Sequence, residues 1–278
     1  MAISVHTNTA ALVALQNLNS TNEKLTQAQG RISTGLKIAN AKDNAAVWSI
    51  AQDQRAAIGA LAAVKMSLDR ATSVAQVTMS AGESVSDLLV QIKEKVVAAM
   101  DPSISASSRQ ALNSDYKSLL RQISQVVQSA ESNGSNILDG SLLTDIKFLA
   151  NEAATNFITL SVKNMTLGNS IITVGMASSI GTVTIATTVL ARIDASLANV
   201  NSALGDIGAQ AKQIENHNTF VSKLTDVLTS GVGNLVDADV AKESAALQAL
   251  QVQQQLGAQA LSIANSAPQI ILSLFRGG

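Results

Sequence analysis

The chain has 278 residues, 46% of them apolar yet only 2% aromatic, and 14% charged, with a formal net charge of −1 from 19 basic and 20 acidic side chains. That balance carries no electrostatic footprint for nucleic acid. A chain without cysteine has no disulfide, thiolate nucleophile or cysteine-ligated zinc. Apolar content supplied by Ala, Leu, Ile and Val suits narrow seams between long helices better than an aromatic-rich globular core. No apolar run approaches the ~20 residues that span a bilayer, so no membrane insertion is expected. The first residues show no basic region ahead of an apolar run, which argues against a cleavable signal peptide. The chain is therefore expected to be cytosolic or exported by a route that needs none.

In chain order, the first apolar stripe runs Ala11, Leu18, Leu25, Ile32, Ala39, with Leu15 and Leu36 beside it. Its spacing is that of a helix presenting a narrow seam. The second runs Leu61, Val64, Leu68, Ala71, Ala75, Thr78, Gly82, Val85, Leu89, Ile92, Val96, Ala99, and Asp101-Pro102 ends it. The third covers Leu112, Tyr116, Leu119, Ile123, Val126 and Ala130. Ser107 and Gln110 are placed to form a capping box at its start, and Asn133-Gly134 to stop it.

Residues 137–175 change character. Phe157 to Lys163 alternates apolar and polar, and Ile171 to Val174 is β-branched, so both are predicted as short strands joined by a turn around 164–169. A fourth stripe follows from Val183 to Leu235, with fourteen of its sixteen seam positions apolar. As one helix it measures about 80 Å, against a diameter near 50 Å for a compact globule of this length. Gly231 and Gly233 are predicted to form a joint. A last stripe, Ala249, Leu256, Ile263, Ile270, with Leu274 adjacent, closes the chain. The pattern predicts a mainly α protein: a long antiparallel helical coiled-coil rod, folded back at a small mid-chain β-hairpin, with its N- and C-termini paired.

No catalytic constellation is present. Gly231-Val232-Gly233 lacks the third glycine and the preceding strand of a dinucleotide fingerprint. His6 and His217 sit in no nucleophile or metal arrangement, so no metal, cofactor or catalytic residue is expected. Three sequons, at Asn19, Asn133 and Asn164, are compatible with chance in an Asn-, Ser- and Thr-rich chain. Two charged groups, Arg31, Lys37, Lys42 and Asp237, Asp239, Glu243, read either as solvated helix ends or as segments that pair across the hairpin or between subunits.

Several blocks in order carry a family resemblance. Leu25 to Ile38 contains Arg31-Ile32-Ser33-Thr34-Gly35-Leu36, and Ala41-Lys42-Asp43-Asn44-Ala45-Ala46 follows. Asp237-Ala238-Asp239-Val240-Ala241-Lys242-Glu243, Gln255 to Leu261, and Pro268 to Arg276 stand at the other end, and Asn133-Gly134 to Leu138-Asp139-Gly140 lies between. Together they resemble bacterial flagellins over both halves of the chain. The resemblance implies a filament subunit for swimming motility, secreted to the extracellular flagellum. It implies an inner coiled-coil domain (here 1–44 with 235–278) and a helical rod domain (45–234) carrying a β-hairpin. Only about 40 residues, 137–175, stand where longer members insert variable outer domains. In many members a basic-apolar stretch of the second helix is read by an innate immune receptor. The corresponding stretch, Gln91 to Val97, departs from that pattern at Gln91 and Lys95.

The resemblance further implies a helical homopolymer as partner, with an export chaperone, a filament cap and junction proteins. A hook–filament junction protein is the nearest alternative, and a non-assembling coiled-coil adaptor the next. The expected self-assembly seam is Leu18, Leu25, Ile32 and Leu36 with Leu256, Ile263, Ile270 and Leu274. Because nothing inside the chain is predicted to cover these stripes, residues 1–40 and 240–278 are expected to order only on assembly.

Overall fold

A computed structural model describes residues 7–276, with side-chain surroundings described as far as residue 266. His6 and the side chains of Ile270 and Leu274 lie outside the described residues. Five helices and two strands follow in order: α1 Thr9–Thr34, α2 Ala45–Ala99, α3 Ala106–Ser129, β1 Ile146–Leu149, β2 Phe157–Leu160, α4 Val183–Val236 and α5 Val240–Arg276. They divide into two compact units. A terminal unit reaches Ala56 from one end and resumes at Val227; a mid-chain unit spans Ala57–Asp226. The divisions fall inside α2 and α4, whereas 44/45 and 234/235, the boundaries read from sequence, coincide closely with helix ends.

In the mid-chain unit the seam read from sequence on α2 is the buried face. All twelve of its positions, Leu61 to Ala99, are buried. Gly82 permits close approach, because a Cβ there would lie 2.5 Å from Leu204 Cδ2. Of the sixteen seam positions on α4, none is exposed, and Ile193, Val200, Ile207 and Ile214 are fully buried in this unit. The most apolar 18 residues of α4 reach a mean hydropathy of 1.2, enough by length and composition for a membrane span. Of that window, 28% is buried within the chain. Gly231 and Gly233 form no joint: α4 continues unbroken through them to Val236. A lone glycine costs a helix about 1 kcal/mol relative to alanine, which a helix of this length tolerates.

The helix ends are capped by residues next to those expected. Ser105, not Ser107, is the N-cap of α3 and accepts from Ser108 N. At the end of α2, Arg109 donates to the carbonyls of Ala99 and Asp101, both at 2.9 Å. The Asp101 carboxyl, which accepts from Ser103 N at 2.8 Å, is held below its ordinary range chiefly by that bond. Helix α3 ends at Ser129, before Asn133-Gly134, and its last carbonyls are taken by Asn136. The buried Asn136 amide donates to Val127 O at 2.7 Å and accepts from Leu138 N at 2.8 Å. Asn136→Ala removes the partner of the buried Leu138 N–H and leaves the Val127 carbonyl only the long bond from Ala130 N. We expect it to lower stability by about 1–3 kcal/mol, measured by urea unfolding, while Asn133→Ala in the exposed turn changes it little.

The β element differs from expectation by one strand. β2, Phe157–Leu160, is the first part of the strand predicted over Phe157 to Lys163, with Ile158 and Leu160 inward. Its antiparallel partner is Ile146–Leu149, in the register Ile146↔Leu160 to Leu149↔Phe157. Residues 171–174 are not a strand. Ile172 and Val174 are fully buried, but the Thr173 N–H goes to Ser196 Oγ on α4 at 3.0 Å, so it does not enter a ladder. Burial of β-branched residues was legible there, and the hydrogen-bond partner was not. Gln210 of α4 fixes the end of β2, accepting from Ser161 N at 2.9 Å. His217 reaches the carbonyl of Ala150, just beyond β1, at 2.6 Å. It therefore has a positioning contact in this unit and no catalytic neighbour.

Candidate functional site: the terminal helix pair and its junction

Helices α1 and α5 pack antiparallel, as contacts spread along their length show. Asn8 Nδ2 donates to Ala264 O at 2.7 Å, and Gln254 Nε2 to Asn22 Oδ1 at 2.7 Å. Arg31 Nη1 meets Glu243 Oε1 at 3.0 Å. Where Gly257 faces α1, a Cβ would lie 3.2 Å from Leu18 Cδ1.

The α1 seam is the expected one. Ala11, Leu18, Leu25 and Ile32 are half-buried and Ala28 is buried, while Ala39 lies beyond the helix and is exposed. The α5 seam is displaced by one position. Its inner face is Glu243, Leu247, Leu250, Gln254, Gly257, Leu261 and Ala264, all half-buried at alternating spacings of four and three. Leu256 and Ile263, expected in the seam, point outward at 58% and 70% exposure. The inner stripe contains Glu, Gln and Gly, so apolar count alone favours its more apolar neighbour. Leu12 and Val13 on α1 and Val252 on α5 are exposed too. Val13, Leu18, Leu256, Gly257 and Ala260 line an open groove of about 960 Å³ along the pair.

Below the pair, the two connections α1–α2 and α4–α5 meet. Gly35 ends α1 in the left-handed conformation, φ 71°, which an L side chain adopts at a cost. The following backbone crosses to the end of α4. Lys37 N donates to Val236 O at 2.7 Å, and Ala238 N to Gly35 O at 2.9 Å, forming a Leu36↔Asp237 bridge. Val236 and Ile38 are buried there. Asp43 Oδ2 accepts from Ala39 N and Asn40 N, and Asn44 Oδ1 from Val47 N, capping the start of α2. Asp239 Oδ1 accepts from Ala241 N and Lys242 N, both at 3.1 Å, capping α5.

Of the six charges expected to pair, two do. Arg31 and Glu243 form a partly buried ion pair, and Glu243 also lies in the first turn of α5, where the helix dipole favours an anion. Lys37, Lys42, Asp237 and Asp239 make no ion pair among the described residues. Asp239 caps a helix, Lys37 contributes its N–H, and Leu36 contributes backbone as well as a half-buried side chain. Arg31 Nε is buried without a partner, so the pair is incompletely satisfied. Arg31→Ala is expected to cost about 1 kcal/mol, read from thermal unfolding, with Arg31→Glu/Glu243→Arg recovering part of it. Asn22, Gln254 and Gly257 were missed by sequence reasoning, because a seam search rewards apolar residues and these are polar or small.

The arrangement presents no catalytic geometry. It clasps two terminal helices together and leaves an apolar stripe outside, as in a helical subunit built for assembly. Residues 5–142 match the family described as the bacterial flagellin N-terminal helical region, and residues 190–275 its C-terminal helical region. The chain belongs to the bacterial flagellin family. It is 54% identical to flagellin FljJ of Caulobacter vibrioides over the whole of both chains. It is 40% identical to a flagellin of Brucella melitensis, with 99% of each covered. Two solved structures share the fold. A Bacillus cereus flagellin matches with a TM-score of 0.50 at 19% identity, covering 56% of this chain and 88% of that one. A Vibrio parahaemolyticus chain described as a putative flagellar hook-associated protein matches at 0.59 and 14% identity, covering 70% and 100%. Full-length relatives named flagellins favour a structural subunit of the flagellar filament over the junction-protein alternative.

Proposed function

We propose that this chain polymerises through the outward stripe of its terminal helix pair. The observation that carries this is the exposure of Leu256 and Ile263 beside the α1–α5 groove, on a pair whose inner positions, Ala28 apart, are only half-buried. Such a thin seam buries little at about 25 cal/mol per Å², so the pair gains most of its stability when a neighbouring subunit covers the stripe. Residues 1–44 with 235–278 form the inner assembly domain and 45–234 the rod domain. Leu18, Leu25, Ile32 and Leu36 hold the pair, while Leu256 and Ile263 offer the surface toward the next subunit; Ile270 and Leu274 are assigned to the same assembly seam from their place in the sequence. The terminal helices order on assembly, which suits export of an unfolded, cysteine-free chain to the extracellular flagellum with a dedicated chaperone, and docking onto junction and cap proteins. The role is structural, without cofactor or catalysis.

Purified chain seeded with filament fragments tests the reading. Sedimenting polymer with a helical repeat in electron micrographs is the expected result. A stable monomer or small oligomer under the same conditions would favour a non-assembling adaptor. Hydrogen exchange supplies a second measure: strong protection of both termini in the monomer contradicts ordering on assembly.

A further inference from the structure

We propose that Asn133 is a spontaneous deamidation site whose acidic product is held by Arg70 and Lys147. Asn133 and Gly134 are both exposed and both left-handed, with φ of 53° and 78°. They form a two-residue turn closed by Ser132 N to Ser135 O at 2.9 Å and Ser135 N to Ser132 O at 3.0 Å. Those angles and that closure define a type I′ turn. Neither the Asn133 side chain nor the Gly134 N–H makes a hydrogen bond among the described residues. The residue after Asn133 has no side chain to obstruct attack, and no residue of 132–135 is buried. The turn therefore opens locally, without unfolding the unit.

The cations make this site particular to the fold. Asn133 lines a recess of about 200 Å³ together with Arg70 of α2 and Lys147 of β1. Neither cation is ion-paired among the described residues. In the reaction, Gly134 N gives its proton to water and attacks Asn133 Cγ. The tetrahedral oxyanion collapses and expels the carboxamide nitrogen as ammonia, leaving a cyclic imide. Water then opens the imide at either carbonyl, to aspartate or to isoaspartate. One water is consumed, one ammonia is released, and no oxidation state changes. Arg70 and Lys147 stabilise the oxyanion and then pair with the new carboxylate. The isoaspartate product adds a backbone atom to a two-residue turn that stands just before the Asn136 cap of α3.

The chain supplies its own comparison. Asn19-Ser20, Asn113-Ser114, Asn201-Ser202 and Asn265-Ser266 lie within α1, α3, α4 and α5. Their attacking nitrogens are engaged in helix hydrogen bonds.

The full-length chain is incubated at mildly alkaline pH in oxygen-18 water, cut with trypsin, and the peptide 122–147 sequenced by mass spectrometry. The expected result is labelled acid at position 133, partly isoaspartate, accumulating well ahead of the helical Asn-Ser pairs. Arg70→Gln with Lys147→Gln, read in the peptide 122–163 because the cleavage site at 147 is lost, slows it about three- to tenfold, with the melting temperature as a check on folding. Retention of the amide at 133 while a synthetic peptide of residues 131–136 converts overturns the site. An unchanged rate in the folded double variant overturns the role of the two cations.

Discussion

Replacing Leu256 or Ile263 with aspartate abolishes polymerisation and leaves the monomer's helix content and melting temperature nearly unchanged. In the monomer both side chains are more than half exposed, so a carboxylate there stays solvated, and such surface changes fall within about 0.5 kcal/mol. On the proposed assembly surface the same position is covered at every subunit contact. An unpaired carboxylate buried there costs several kcal/mol, and the cost recurs along the filament. Sedimentation and electron microscopy read the first effect, circular dichroism the second. Normal filaments from either variant would remove these residues from the assembly surface. Gly257→Leu acts inside the pair, where its side chain would collide with Leu18, so it opposes the helix pairing that assembly completes.

Leu89→Ala has the largest expected effect on folding. Leu89 is fully buried on the α2 seam of the mid-chain unit. Truncation removes its transfer free energy and leaves a cavity between long helices that cannot collapse inward independently. The expected loss is about 2–5 kcal/mol, or roughly 6–15 °C in melting temperature for a unit of this size. Val97→Ala, half exposed on the same helix, should stay within about 0.5 kcal/mol. Equal melting temperatures for the two variants would show that the seam is not the core. Polymerisation at low temperature should survive Leu89→Ala, which separates this effect from that of Leu256→Asp.

The legible parts of the fold were those where one stripe of large aliphatics had no rival. On α2 and α4 the 3–4 spacing selected the inward face without error, because every alternative stripe is more polar. On α5 two adjacent stripes compete. The outward one holds Leu256 and Ile263, and the inward one mixes Leu247, Leu250 and Leu261 with Gln254 and Gly257, so hydrophobicity picked out the stripe left outside the pair. The partner of β2 was misplaced for a related reason. Ile171 to Val174 and Ile146 to Leu149 are both apolar enough to be strands, and Ser196 on α4 decided which backbone needed no ladder. Asn133-Gly134 was visible as a breaker, but whether it ended a helix or turned a hairpin depended on Asn136, which had already taken the helix carbonyls.

The charged blocks at 31–42 and 237–243 show the same division. Their composition left open whether they are solvated helix ends or segments that meet. Their roles were not in the composition. Arg31 with Glu243 is an ion pair, Asp239 and Asp43 are caps, and Lys37 matters through its backbone. By itself the amino-acid order determined the helical class, the two long seams and the family, since periodicity and motif order are local properties of the chain. Only the tertiary structure decided which α5 stripe faces α1 and which is left for a neighbour. Burial is assigned by the competition between surfaces brought together from opposite ends of the chain, and a small residue such as Gly257 wins its place by allowing the closer approach.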